Sequence, residues 1–387
     1  MKTLFPYVAA LAACFLLWSC SAASVPANVP SSPQNTAAPI TKAAPGQDWD
    51  TVIAEAKKEG TVAVYALWRP ETREALVRAF KDKYGITVEF SPFSRGPELL
   101  AKVQAEQRAG LYLADVFGVG AGTLISNMKP EGVLGPIEPV IVLPEVLDPK
   151  VWSGGKFPYV DKDKTSVGMI ASMQRFLMYN TDLVKKGELT SYKDLLKPQY
   201  KGQITMNDPA VTGVGNAFLT FMALDVWNPT ETKDYFRQLI TQQGLVIQRD
   251  NRTHVETVAR GKYSIGLAPN PDNMADFLKL GAPIDALIVP EGTFVTPAAG
   301  GIGIPTKFAH PNAAKLFVNW VLTKEGATVF SKGFGNPSLR TDVSTEGFNP
   351  IFLPQPGEKL FFDTEESLVY RGEMLTIAQQ IINETSK

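Results

Sequence analysis

The chain alternates between short β-branched runs and stretches that place an apolar residue at every third or fourth position. Thr61 to Leu67 reads as a buried strand. Pro70-Glu71 then stand where proline and acids favour a helix start, and Leu76, Phe80 and Tyr84 form one apolar stripe. Gly85 ends that helix, and Ile86 to Phe90 supplies the next strand. A second unit repeats the order, with a helix from Glu98 to Ala109 carrying Leu99, Val103 and Glu106 at helical spacing. The strand Ala114 to Phe117 follows and runs into Gly118-Val119-Gly120. This alternation predicts a mostly parallel sheet with helices on both faces. A different lobe starts near Ser172. Ser166 to Tyr179 reads as strand, Tyr192 to Leu196 opens a helix and turn, Gly202 to Met206 is extended, and Ala217 to Leu224 is helical. The last helix runs from about Glu365 to Asn383 and buries Met374, Ala378, Ile381 and Ile382.

Ligands of open α/β sheets bind beyond the carboxyl ends of the strands, which directs attention to Trp68-Arg69, Ser91 to Gly96 and Gly118 to Gly122. The candidates there are Trp68, Arg69, Ser94, Arg95 and Gly120. In the second lobe, Asn207-Asp208-Pro209 leads to Thr212-Gly213-Val214-Gly215 and a helix. The turn either leaves free N–H groups as an anion cradle or lets Thr212 cap its own helix. Gln174 and Arg175 lie near a crossing between lobes, and Arg249 and Arg252 lie in the loop that opens another helix. Guanidinium forks match carboxylate and phosphate oxygens, so these arginines point to an anionic ligand. Two or three of the five are expected to be solvated or paired with acids such as Asp250. Trp68, Phe93 and Phe176 could wall the pocket or pack in a core, and Asn207, Thr212, Gly213, Asn251 and Asn270 offer neutral hydrogen bonds.

Composition removes several function classes. The formal net charge of -1 argues against nonspecific nucleic-acid binding, which needs a basic surface. With its 2 cysteines at Cys14 and Cys20, the body beyond has no disulfide, thiolate metal site or cysteine nucleophile. No His-Glu-x-x-His, Gly-x-Ser-x-Gly or phosphate-loop motif occurs, so no catalytic residue, cofactor or metal is assigned. Of the 2 histidines, His254 near Asp250 is either a base or a structural residue, and His310 reads as part of a turn before a helix. No leftover apolar stripe suggests an oligomer, so a monomer is expected.

Lys2 precedes an apolar run from Leu4 to Trp18 that closes on Ser19-Cys20, too short to span a bilayer and followed by a Pro-, Ala- and Ser-rich stretch to Gln47. The run resembles a bacterial lipoprotein signal, which implies a lipid on Cys20, with Cys14 as the other possible site. The expected division is signal 1–19, flexible lipid-anchored linker 20–47, lobe 1 from 48–172 plus 290–345, and lobe 2 from 173–289 plus 346–387.

The order of Val64 to Glu71, Leu99 to Ile137, Tyr179 to Leu183, Asp208 to Phe218, Val258 to Gly266 and Gly300 to Val321 is similar to the extracellular solute-binding proteins of bacterial ABC importers. The resemblance is to the group that includes ferric-ion-binding proteins. It implies an α/β, two-lobed type II periplasmic-binding-protein fold with a hinge and an interlobe ligand cleft, strands crossing near Ala171 to Gln174 and Ile288 to Glu291. It also implies a partner permease, an extracytoplasmic location on a membrane by the lipid anchor, and no chemistry. The ferric members use adjacent tyrosines, a pair this chain lacks; Gly335 to Arg340 stands where they would be sought. A small anionic organic solute is therefore the expected ligand, with ferric iron or a metal complex, and an enzyme on the same scaffold, as alternatives.

Overall fold

The computed structural model describes residues 38–39 and 49–385, so Cys14, Cys20, the signal and nearly all of the linker lie outside the described residues. Along the chain the elements are β1 (Ala38–Pro39), α1 (Trp49–Glu59), β2 (Thr61–Ala66), α2 (Pro70–Tyr84), β3 (Thr87–Pro92), α3 (Gly96–Arg108), β4 (Val116–Val119), β5 (Leu134–Gly135), α4 (Pro144–Leu147) and β6 (Ser166–Gly168). Next come β7 (Ser172–Gln174), β8 (Leu177–Asn180), β9 (Ile204–Asn207), α5 (Val214–Phe221), α6 (Pro229–Thr241), β10 (Val246–Gln248), α7 (Asn251–Ala259), β11 (Ile265–Leu267), α8 (Pro271–Lys279) and β12 (Ile284–Ala286). The chain ends with β13 (Thr293–Thr296), β14 (Gly301–Pro305), β15 (Lys307–Phe308), α9 (Pro311–Leu322), α10 (Lys324–Phe334), β16 (Leu360–Phe362) and α11 (Glu365–Thr385).

Two sheets organise two lobes. The first has the order β3-β2-β4-β14-β5, with β6 also on β14, and the second the order β10-β9-β11-β8-β12. β2, β3 and β4 are parallel, as the repeated strand-helix pattern predicts. β14 runs antiparallel to β4, and β8 antiparallel to β11, which the pattern did not predict. These two strands directly follow crossings between the lobes, so each enters its sheet from the end where the parallel strands leave it.

The crossing is a three-stranded ribbon, β16-β13-β7. β7 pairs antiparallel with β13, and Val295 stands opposite Met173. The second crossing strand is thus Thr293–Thr296, beyond the turn closed by Gly292 N–H to Val289 O, and not Ile288 to Glu291. Alternation along these strands gives the ribbon two faces, one with Ser172, Gln174 and Phe294, the other with Met173, Arg175 and Val295.

Burial follows the sheets. Val62, Val64, Leu76, Phe80, Phe317 and Trp320 fill one side of the first sheet, with Phe80 edge-on to Phe317 at 5.3 Å. Tyr65, Leu99, Val103, Phe117, Leu124 and Met128 fill the other. In the second lobe Phe218, Phe221, Phe236 and Leu239 form a large aromatic core, and Val255, Val258 and Met274 cover the opposite face. Helix α11 spans both lobes: Leu368 joins the first core, and Met374, Ala378 and Ile381 join the second. Ile382, expected in the same stripe, is only half buried.

Candidate functional site

The turn leaving β2 in one lobe meets the start of α8, which follows β11, in the other. The contact that ties them is Arg69, between β2 and α2, whose Nη2 lies 2.7 Å from Oδ2 of Asp272 in the first turn of α8. The guanidinium rests 5.9 Å from the Phe334 ring centre.

Not every sequence candidate reaches this cleft. Trp68 is buried beneath the β2 turn, its Nε1–H donating to Ala299 O at 3.2 Å and its ring edge-on to Phe330 at 4.9 Å; it supports the wall and does not form it. Phe176 belongs to the second core, and Phe93 is half buried against Tyr65 at 5.4 Å. Arg175 points to the ribbon face opposite Gln174. Its side chain and that of Glu358 are each 1% exposed and form an ion pair, so its charge is spent on the fold and not on a ligand. Gln174 is buried, with Nε2 donating to Ser172 Oγ at 3.0 Å. Asn207 is buried and donates to Asn251 Oδ1 at 2.6 Å, which fixes the start of α7 on the end of β9. The Asn270 Oδ1 accepts from Asn273 N–H at 3.1 Å and caps α8, so this carboxamide is largely committed.

The remaining candidates are exposed or half exposed on the loops that leave the strand ends: Arg69, Ser94, Arg95, Gly120, Thr212, Gly213, Arg249, Asn251 and Arg252. Arg249 is 91% exposed and stands 3.6 Å from Asp208. Arg252 lies 3.9 Å from Asp276 and over Phe277. Such long, watery pairs constrain neither side chain much. Arg95 occupies the N-cap position of α3 without a side-chain capping bond, and it has no ion pair among the described residues.

The start of α5 is not capped by Thr212. Gly213 is the N-cap residue, no side chain caps it, and Thr212 is exposed. By contrast Asn228, Asp250 and Asn270 cap α6, α7 and α8. The first intrahelical bond is Ala217 N–H to Gly213 O, which leaves the amides of Val214, Gly215 and Asn216 outside the helix's own ladder. Gly215 is required here, because a Cβ would stand 2.2 Å from Asn207 O. That contact seats the positive end of α5 on the strand end at the cleft.

The sequence reading missed Asp272, hidden in the ordinary acidic first turn of a capped helix, and Arg371 on α11. Arg371 lies 5.6 Å from the Phe294 ring centre on the Gln174 face of the ribbon and bonds Asp363 at 3.0 Å. Its buried Nε has no partner among the described residues. Only the path of α11 between lobes reveals it.

Neither histidine serves the cleft. His310 Nδ1 lies 2.8 Å from Asp115 Oδ2, and this hydrogen bond raises its pKa. Asp115 also accepts from the amides of Ala63, Ala309 and His310, tying β2 to the start of α9. His254 lies on the fully buried face of α7, and burial pushes its pKa down to about 4. Asp161, Asp163 and Glu365 converge, but Lys129 Nζ stands 3.0, 2.8 and 2.6 Å from them and fills the place a cation would take. A cavity of about 370 Å³ opens beside the ribbon, lined by Tyr159, Val295, Thr296, Leu339, Phe362 and Asp363 and by none of the candidate residues.

Residues 75–350 match the family described as bacterial extracellular solute-binding protein. The spermidine/putrescine-binding periplasmic protein 1 of Haemophilus influenzae is 24% identical over 298 residues, covering 76% of this chain and 79% of that protein. Among solved structures, the periplasmic binding protein AfuA of Actinobacillus pleuropneumoniae with fructose-6-phosphate bound superposes with a TM-score of 0.60 at 23% identity, over 84% of this chain and 99% of that one. A Trichodesmium FutA in complex with iron and citrate gives a TM-score of 0.65 at 20% identity, over 83% and 99%. At such identities the likeness fixes the two-lobed type II fold.

Proposed function

This chain belongs to the bacterial extracellular solute-binding protein family, and on that premise we propose that its cleft captures a small anionic organic solute, a carboxylate, phosphonate or phosphorylated compound. Members of the family act outside the cytoplasm and deliver solute to an ABC permease. Among the described residues no helix is long and apolar enough to cross a membrane.

The observation that carries the anionic reading is the uncapped start of α5, which in the second lobe's α5 to α8 series has a glycine at the N-cap where the others have a capping Asn or Asp. A helix start with free amides favours negative oxygens, and Arg69 and Arg95 add fixed positive charge from the facing lobe. In this reading the protein binds and releases without chemistry: His310 is held by Asp115, and His254 is fully buried.

Calorimetry against citrate, inorganic phosphate and sugar phosphates checks this reading. At least one should bind, and Arg95→Ala should weaken it by about 1.5–3 kcal/mol, the value of a charge-assisted bond. Binding of spermidine with none of the anions would reverse the reading, and the exposed Asp272 and Asp276 are the groups such a cation would use.

The working form is a monomer held to a membrane through a lipid on Cys20. The intact precursor, expressed in a bacterial host, should partition into detergent, and Cys20→Ala should move it to the aqueous phase. Detergent partitioning that survives Cys20→Ala and is lost with Cys14→Ala would transfer the anchor to the earlier cysteine.

A further inference from the structure

Asp272 reaches Arg69 from 203 positions along the chain and from the other lobe. Helix α8 does not need it as a cap, because Asn270 already takes the Asn273 amide. Its carboxylate is therefore free to extend across the cleft from a position that the helix dipole favours. On the other side, Arg69 precedes Pro70 and has extended backbone angles, φ -59 and ψ 153, which turn its side chain out of α2. One flank of the guanidinium lies on Phe334. The next residue, Gly335, has no side chain to cover Nη1, which lies 4.0 Å from where its Cβ would stand.

The two side chains remain 48% and 54% exposed. A pair this accessible to water is weak, and a phosphate or carboxylate able to take two guanidinium N–H groups at once is a stronger partner.

We infer that Asp272 is a built-in competitor for Arg69: in the ligand-free cleft its carboxylate holds the guanidinium that an anionic solute takes, and it thereby sets the affinity and charge selectivity of the site. This rests on the anionic reading of the cleft. The carboxylate keeps the two lobes lightly latched when no solute is present, and it must yield, or share the guanidinium, when an anion enters. The same carboxylate repels the incoming anion, so removing its charge acts twice in one direction. A cationic solute would experience the opposite effect, because Asp272 would be its partner.

The test is a double-mutant cycle with Asp272→Asn and Arg69→Gln, using citrate, inorganic phosphate and fructose 6-phosphate as probes and spermidine as the cationic control, in low-salt buffer. Asp272→Asn should tighten anion binding about two- to five-fold, the equivalent of an exposed ion pair. In the Arg69→Gln background only the repulsion is left to remove, so the same change should give a clearly smaller gain, and an equal gain in both backgrounds would reduce the effect to a general change of field and overturn the competition. Raising the salt should shrink the gain. Anion binding by the wild type that is unchanged or weakened by Asp272→Asn would overturn the inference and leave the anionic reading intact. Absence of anion binding in every variant would overturn both, most clearly if spermidine binds and Asp272→Asn abolishes it. Circular dichroism of each variant confirms that the folds compared are the same.

Discussion

Arg175→Ala is expected to cost about 3–5 kcal/mol of folding stability, the loss typical of removing one partner from a buried ion pair. The guanidinium donates to Ile351 O at 2.9 Å, Leu353 O at 2.9 Å and Thr293 Oγ1 at 2.6 Å, besides pairing with Glu358. Glu358 in turn accepts from Thr293 Oγ1 and from Gln355 N–H. Four groups from β13 and the segment before β16 are thus satisfied by one side chain. Truncation leaves a carboxylate buried without its counter-charge and the Ile351 carbonyl without its donor, while Leu353 O keeps only Gln355 Nε2 at 3.2 Å. Urea unfolding should show the midpoint fall, and Arg175→Met combined with Glu358→Leu should recover much of the loss, since a matched apolar pair removes the stranded charge. A loss below about 1 kcal/mol would mean that water reaches Glu358 readily once Arg175 is gone. The position matters for function as well. The pair holds the ribbon about which the lobes must move, so weakening it should loosen the hinge before it alters the cleft loops.

Arg175 also shows where sequence reading reached its limit. The run Ser166 to Tyr179 was legible as strand, but a strand of period two sends Gln174 and Arg175 to opposite faces, and nothing local says which face meets the cleft. Its acid partner lies 183 residues away. Trp68 stays open in the sequence for a related reason: a large aromatic at a strand end is equally suited to lining a pocket or to supporting one, and Phe330 and Ala299, far along the chain, bury it. Where the determinants were local, they were readable. The stripe Leu76, Phe80 and the left-handed Gly85, φ 75, define α2 as expected, with Gly85 N–H returning to Lys81 O. Thr212-Gly213 was legible as a turn before a helix, but the absence of a cap depends on where Thr212 points, and that required the fold. The β1 strand, Ala38–Pro39, pairs with β15 although its segment reads as linker, because main-chain bonds to an edge strand place few demands on side chains.

Acidification should destabilise the second lobe through His254. The imidazole is neutral in the fold, with burial holding its pKa near 4, whereas in the unfolded chain it takes a proton near the ordinary value of 6.5. Between those two values the unfolded state binds more protons than the native state, so stability falls as pH drops from about 6.5 to 4 and changes little further below that. The full effect is about 3 kcal/mol, from 1.36 kcal/mol for each unit of difference. Asp225 acts in the opposite direction. Burial, reinforced by Asp363 and Glu366, raises its carboxyl to about 6, so its protonation favours the native state as pH falls. Asp225 is only partly buried, and water screens its contribution, which leaves His254 the larger of the two. His254→Leu separates them: the site is bordered by Met178, Val258 and Gly266, an apolar surround that accepts leucine. Urea unfolding at stepped pH should show the wild type losing stability relative to this variant across the window, by an amount that grows toward pH 4. Parallel curves for the two proteins would mean that His254 remains neutral in the unfolded state or charges without cost in the fold, and would refute the assignment.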